Sequence, residues 1–82
     1  MVKAKTIIPA VGIWAIFAAQ SGKHYFQAVR GQLLDMDGNI EYYFKGDDGR
    51  TLIPNKLHGF KEYFDGSRKD VLDCIQRIND AF

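Results

Sequence analysis

Hydrophobic positions crowd first into the run Ile7 to Ala19, the most apolar stretch of the chain. Read as a strand from about Val11 to Ala19, it places Ile13, Ala15 and Phe17 on one face and Trp14, Ile16 and Ala18 on the other. Both rows are apolar, so this strand is expected at the centre of a sheet, covered on both sides. Gln20-Ser21-Gly22-Lys23 then reads as a turn. A second strand follows, from His24 to Leu34, with imperfect alternation. Tyr25, Val29 and Leu33 share one face, whereas Phe26 and Ala28 share the other with Arg30 and Gln32. Gly31 inside that run predicts a bulge that bends the strand.

After a turn at Asp35-Met36-Asp37-Gly38-Asn39, the segment Ile40 to Lys45 alternates cleanly. Ile40, Tyr42 and Phe44 are expected inward, with Glu41, Tyr43 and Lys45 outward. Asp47-Asp48-Gly49 is a hairpin signal, because these residues tolerate the positive φ that tight turns require. Arg50 to Ile53 completes the strands, ended by Pro54. The period then changes. Leu57, Phe60 and Phe64 recur at helical spacing between Asn55 and Gly66, which predicts a short helix or a loop with one helical turn. Ser67 and Asp70 have capping-box spacing. The helix they open places Val71, Leu72, Ile75, Ile78 and Phe82 on one stripe, and leaves Arg68, Lys69, Asp73, Gln76, Arg77 and Asp80 in water.

The expected fold is therefore α+β. It is a four-stranded curled antiparallel sheet, bending toward a small SH3-like barrel, with a C-terminal amphipathic helix packed on it. A single domain spans 1–82: the sheet over 11–54, a short helix or loop over 55–66, and the helix over 67–82. A membrane helix does not fit residues 7–19, since spanning takes about 20 apolar residues and the run contains Pro9 and Gly12. A cleaved leader is the competing reading, with Lys3 and Lys5 ahead of residues 6–17 and Ala18-Ala19 at the cut. Bulky Ile16 and Phe17 oppose it where a small side chain is preferred.

Composition narrows the function classes. Eighty-two residues suit one self-sufficient core with little margin. The single cysteine, Cys74, leaves no internal disulfide framework and fits a reducing, cytoplasmic setting. Eleven basic and ten acidic side chains give a net charge of +1, so no global field gathers nucleic acid.

Candidate chemistry is sparse. Aligning Gly38 with the glycine of a calcium loop makes ligands of Asp35 and Asp37, but puts Leu33 and Phe44 at the first and last positions. A hairpin turn explains those carboxylates better. His24, His58 and Cys74 show no metal-ligand spacing, and a cysteine flanking the buried stripe of a helix is ordinarily structural. Gly46-Asp47-Asp48-Gly49-Arg50 places aspartates where a phosphate would have to sit. No catalytic residue, metal or cofactor is assigned.

Rings and bases offer more. Tyr25, Arg30, Tyr43, Lys45, Lys56 and Lys61 form an aromatic and basic set of the kind that stacks bases and tracks a single-stranded backbone. Glu41, Glu62 and Asp65 interrupt it, so core aromatics with a mixed-charge rim remain the simpler reading. The preferred reading is a protein interface. One helix covers one sheet face, and the uncovered face calls for a partner, most simply a second copy. Trp14, Tyr25, Phe26, Tyr42 and Tyr43 are the expected contact residues, with Met36 also available.

Ile8-Pro9-Ala10-x-Gly12-x-Trp14, followed by the Tyr25-Phe26-Gln27-Ala28-Val29 strand and a Gly-rich hairpin, resembles uncharacterised small β-rich proteins of phages and mobile elements. The resemblance runs to about Pro54, and Val11 departs from it where a glycine-like turn follows the proline. It implies an accessory role, binding a host or phage protein. The expected function is thus a non-enzymatic, self-associating interaction module, with single-stranded nucleic-acid binding as the alternative.

Overall fold

The computed structural model describes residues 6–34 and 37–81. Seven strands lie among them: β1 (Thr6–Pro9), β2 (Ile13–Ala18), β3 (His24–Ala28), β4 (Gly31–Leu34), β5 (Ile40–Lys45), β6 (Thr51–Leu52) and β7 (Phe60–Asp65). One 3₁₀ turn, Pro54–Lys56, precedes β7, and helix α1 (Arg68–Asp80) follows it. The strands form two antiparallel sheets, ordered β1-β4-β5-β6 and β3-β2-β7. The α+β class holds. The single curled sheet does not, and the strands do not close into a barrel.

The departure begins at Val29-Arg30. Val29 N–H donates to Ile13 O at 3.0 Å in the smaller sheet, whereas Arg30 N–H donates to Tyr43 O at 2.8 Å in the larger one. Adjacent peptides thus belong to different sheets, and the expected long second strand becomes β3 and β4. Gly31 lies just beyond this corner. Its backbone is ordinary, but a Cβ there would fall 2.7 Å from Ile8 O and 2.9 Å from Tyr43 Cε1. Gly31 and Tyr43 are register partners, so the tyrosine ring occupies the space a side chain would need.

Strand β2 is central in the smaller sheet, as its two apolar rows require. Ala15 and Phe17 join Val29 in one buried cluster, against which Ile13, Tyr42, Phe44, Leu57, Phe60 and Tyr63 pack. Ile16 joins Val71 and Ile75 in the other, backed by Trp14, Phe26, Phe64 and Cys74. The architecture is accordingly sheet on sheet on helix, with β2 contributing to both interlayer cores. Gly12, at φ +76°, turns the chain from β1 into β2, and its carbonyl accepts from Gly66 N–H at 2.8 Å.

Strand β7 replaces the helix or loop expected over 55–66. Its pairing with β2 slips between Ile16 and Phe17: Ile16 faces Glu62, whereas Phe17 faces Phe60. Lys61 is the extra residue of a bulge, which puts Phe60 and Tyr63 on the same face although they are three apart. Leu57 and Phe60 join the intersheet cluster while Phe64 joins the helix-side one, so the three residues whose spacing reads as one helical face are split between two.

The C-terminal helix matches expectation closely. Asp70 N–H donates to Ser67 Oγ at 3.1 Å, and Ser67 N–H donates to Asp70 Oδ2 at 3.0 Å. Val71 and Ile75 are buried, Ile78 is half-buried, and the residues expected in water are all exposed. Leu72 departs from the stripe at 42% exposure. Phe82, Met36 and Asp35 lie outside the described residues, as do Lys3 and Lys5. Among the described residues no helix is long and apolar enough to cross a membrane.

Candidate interaction surface

The residues expected at an interface are mostly interior. Trp14 packs edge-to-face on Phe26 at 5.5 Å between ring centroids, and its Nε1–H donates to Gly66 O at 2.9 Å. Both rings line the helix-side cluster. Tyr42 lies against Tyr63 at 4.6 Å within the intersheet core. Tyr43, expected outward, is only 5% exposed, because its ring is accommodated over Gly31. Tyr25 alone of the five stands largely in solvent. It is 51% exposed, with its ring stacked on Phe17 at 5.4 Å. The sheet face left open in the single-sheet expectation is covered here by the second sheet, so that argument for a partner disappears.

The aromatic and basic set also disperses. With Tyr43 buried, its ring is closed to a nucleobase. Lys56 Nζ lies 3.3 Å from Glu41 Oε2, and Lys45 Nζ donates to Thr51 Oγ1 at 2.7 Å. Arg30 and Lys61 remain exposed, one at the sheet corner and the other at the β7 bulge.

Nor do the other candidates converge. Among the described residues no group of three His, Cys, Asp or Glu side chains is placed to hold a metal ion. Cys74 packs in the helix-side cluster. His24 Nδ1 lies 3.0 Å from Gly22 O. The Tyr63 hydroxyl is the one fully buried side-chain polar atom, among the described residues, without a hydrogen-bond partner. Burial raises its pKa, an effect tempered by the nearby Asn55 backbone and reinforced by Glu41 and Tyr42.

The sequence reading missed the apolar end of the larger sheet. Ile8 pairs with Gln32, which pairs with Tyr42; Leu34 pairs with Ile40 two residues further on. By the twofold pleat, these five residues share the face whose inner part, Tyr42 with Phe44, meets the smaller sheet. Ile40 is 58% exposed and Ile8 40%. Ile40 was expected inward, and its row is the right one. It lies beyond the area that the smaller sheet covers. The alternation Ile40-Tyr42-Phe44 signalled an apolar face, but carried no information on how far a cover would extend.

Comparisons with protein-family models, curated proteins and solved structures returned no match.

Proposed function

We propose that this chain is a non-enzymatic interaction module that self-associates through the outer end of its larger sheet. The observation that carries this reading is the group Ile8, Leu34 and Ile40, set around Gln32 on the sheet face that leads to the intersheet core and open to water at both isoleucines. Exposed apolar surface grouped on one sheet face favours a contact, and a two-fold pairing covers the same patch on both copies. The opening Ile8-Pro9-Ala10-x-Gly12-x-Trp14 supports an accessory role in a phage or mobile element, and the single cysteine supports a cytoplasmic setting. Single-stranded nucleic-acid binding is the weaker reading, since Tyr43 is buried and Lys56 is paired with Glu41.

Sedimentation velocity over a micromolar concentration series tests it. The expected result is an apparent mass that rises with concentration, and an Ile40→Glu variant that stays monomeric while remaining folded. A wild-type chain that is monomeric throughout the series overturns the proposal.

A further inference from the structure

A second surface, distinct from the sheet end, lies along the outer edge of β3. Hydrogen bonds flanking the β2–β3 pair fix which peptides face outward. Ala19 N–H donates to Lys23 O at 2.8 Å and Val29 N–H to Ile13 O at 3.0 Å, so residues 19/23 and 13/29 are bonded pairs. Alternation along the antiparallel register then makes 18/24, 16/26 and 14/28 the unbonded pairs. The N–H and C=O groups of His24, Phe26 and Ala28 therefore point away from β2.

These three outward positions differ. The Asn79 side chain occupies the first, accepting from His24 N–H at 2.7 Å and donating to His24 O at 3.0 Å. At the third, the Gln27 amide reaches Ala28 O only at 3.5 Å. Phe26, between them, has no hydrogen bond from either outward group among the described residues. Unpaired edge peptides are a template for another strand.

The helix supplies a wall beside this edge. Asn79 is held at His24, while Trp14, the register partner of Ala28, is bonded to Gly66 just before the helix begins. Helix α1 thus runs alongside β3 in the opposite direction. On the side of the helix that carries Asn79 lies an open groove of about 640 Å³, lined wholly by helix residues: Arg68, Lys69, Leu72, Asp73, Ile75 and Asn79, with Gln76. Leu72 gives it an exposed apolar floor. Arg68 and Lys69 line one end, and Lys23 and Arg30 bracket β3 in the chain. Arg68 and Lys69, both exposed and in no salt bridge among the described residues, outnumber the single carboxylate that lines this groove, Asp73. On the helix's other flank, beside Phe64, the groove instead carries Asp70, Asp73 and Asp80 with Arg77.

We propose that the β3 edge and the adjoining Leu72 flank take up an extended segment of a partner protein, alternating apolar and acidic residues, as an added strand. Main-chain bonds to Phe26 and Ala28 align the segment, its apolar side chains cover Leu72, and its carboxylates meet Arg68 and Lys69. Asn79 sets where pairing must stop. This site does not depend on self-association at the sheet end.

The test uses a short labelled peptide alternating valine and glutamate, its valine–lysine counterpart, and the full chain. Fluorescence anisotropy measures affinity, and amide chemical shifts locate binding. The expected result is binding of the valine–glutamate peptide that weakens with added salt, with shifts at the Phe26 and Ala28 amides. Ala28→Pro removes an outward N–H at an edge position that tolerates proline, and should weaken binding up to about tenfold. Leu72→Glu should weaken it similarly, with thermal unfolding confirming that both variants fold. Failure of the peptide to bind, equal binding of the lysine peptide, or retained affinity in both folded variants overturns the proposal.

Discussion

The Asn79 side-chain amide is paired with the main chain of His24 through both its oxygen and its nitrogen, at 2.7 and 3.0 Å. A residue in the last turn of the helix thus stands in for a neighbouring strand at the edge of the smaller sheet, and pins the helix C-terminus to it. Asn79→Ala should cost about 1–2 kcal/mol, since two partly buried main-chain groups lose their partner together. Urea denaturation reads the loss, and faster hydrogen exchange at the His24 amide localises it. An unchanged midpoint would show that water replaces the amide without cost.

Gly31→Ala should destabilise although alanine is the better residue for an ordinary backbone. The added Cβ would stand 2.7 Å from a fixed carbonyl and 2.9 Å from the Tyr43 ring, and overpacking of this kind costs about 1–3 kcal/mol. Thermal unfolding checks the direction. Tyr43 should also become more accessible to solvent in the variant.

Ser67→Ala removes one arm of the capping box and should cost about 1 kcal/mol by chemical denaturation. The same box gives a pH signature. Hydrogen bonds from the Ser67 backbone and side chain hold the Asp70 pKa below its ordinary 3.8. The carboxylate's contribution is complete above that unfolded-state value and is lost as pH falls through the lower folded value. Stability should therefore fall with acid in that window. The slope should be shallower in Asp70→Asn, measured as unfolding midpoint against pH.

Tyr63→Phe should alter stability at neutral pH by less than about 1 kcal/mol, because the buried hydroxyl makes no well-formed hydrogen bond and loses at most a weak contact with the Asn55 backbone. At alkaline pH the variants should separate. Burial raises the Tyr63 pKa above 10.0, so the neutral hydroxyl's advantage is whole below that unfolded value and disappears as pH rises through the folded one. Wild-type stability should decline in that range more steeply than that of the phenylalanine variant, as followed by unfolding at a series of pH values.

Much of the local structure was legible from the chain alone. Ser67 and Asp70 announce the start of the helix because capping is a contact between residues three apart, and Val71, Ile75 and Ile78 mark its buried side by a period the backbone itself imposes. Trp14-Ala15-Ile16-Phe17 required a strand covered on both faces, and β2 has both covers. The hairpin at Asp47-Asp48-Gly49 follows from turn chemistry in the same way. Tertiary structure alone decided which cover meets which face. A twofold pattern says which residues share a side, but not which sheet they join; the switch between Val29 and Arg30 depends on partners at Ile13 and Tyr43, distant in sequence. The β7 bulge sends Phe60 and Phe64, which helical spacing had put on one face, to opposite sides of a strand, and the ring space above Gly31 buried a tyrosine that alternation had put outside. Sidedness is written in neighbouring residues, whereas coverage depends on how far a second layer reaches, and that is why Ile40 was placed on the correct face and yet stands in water.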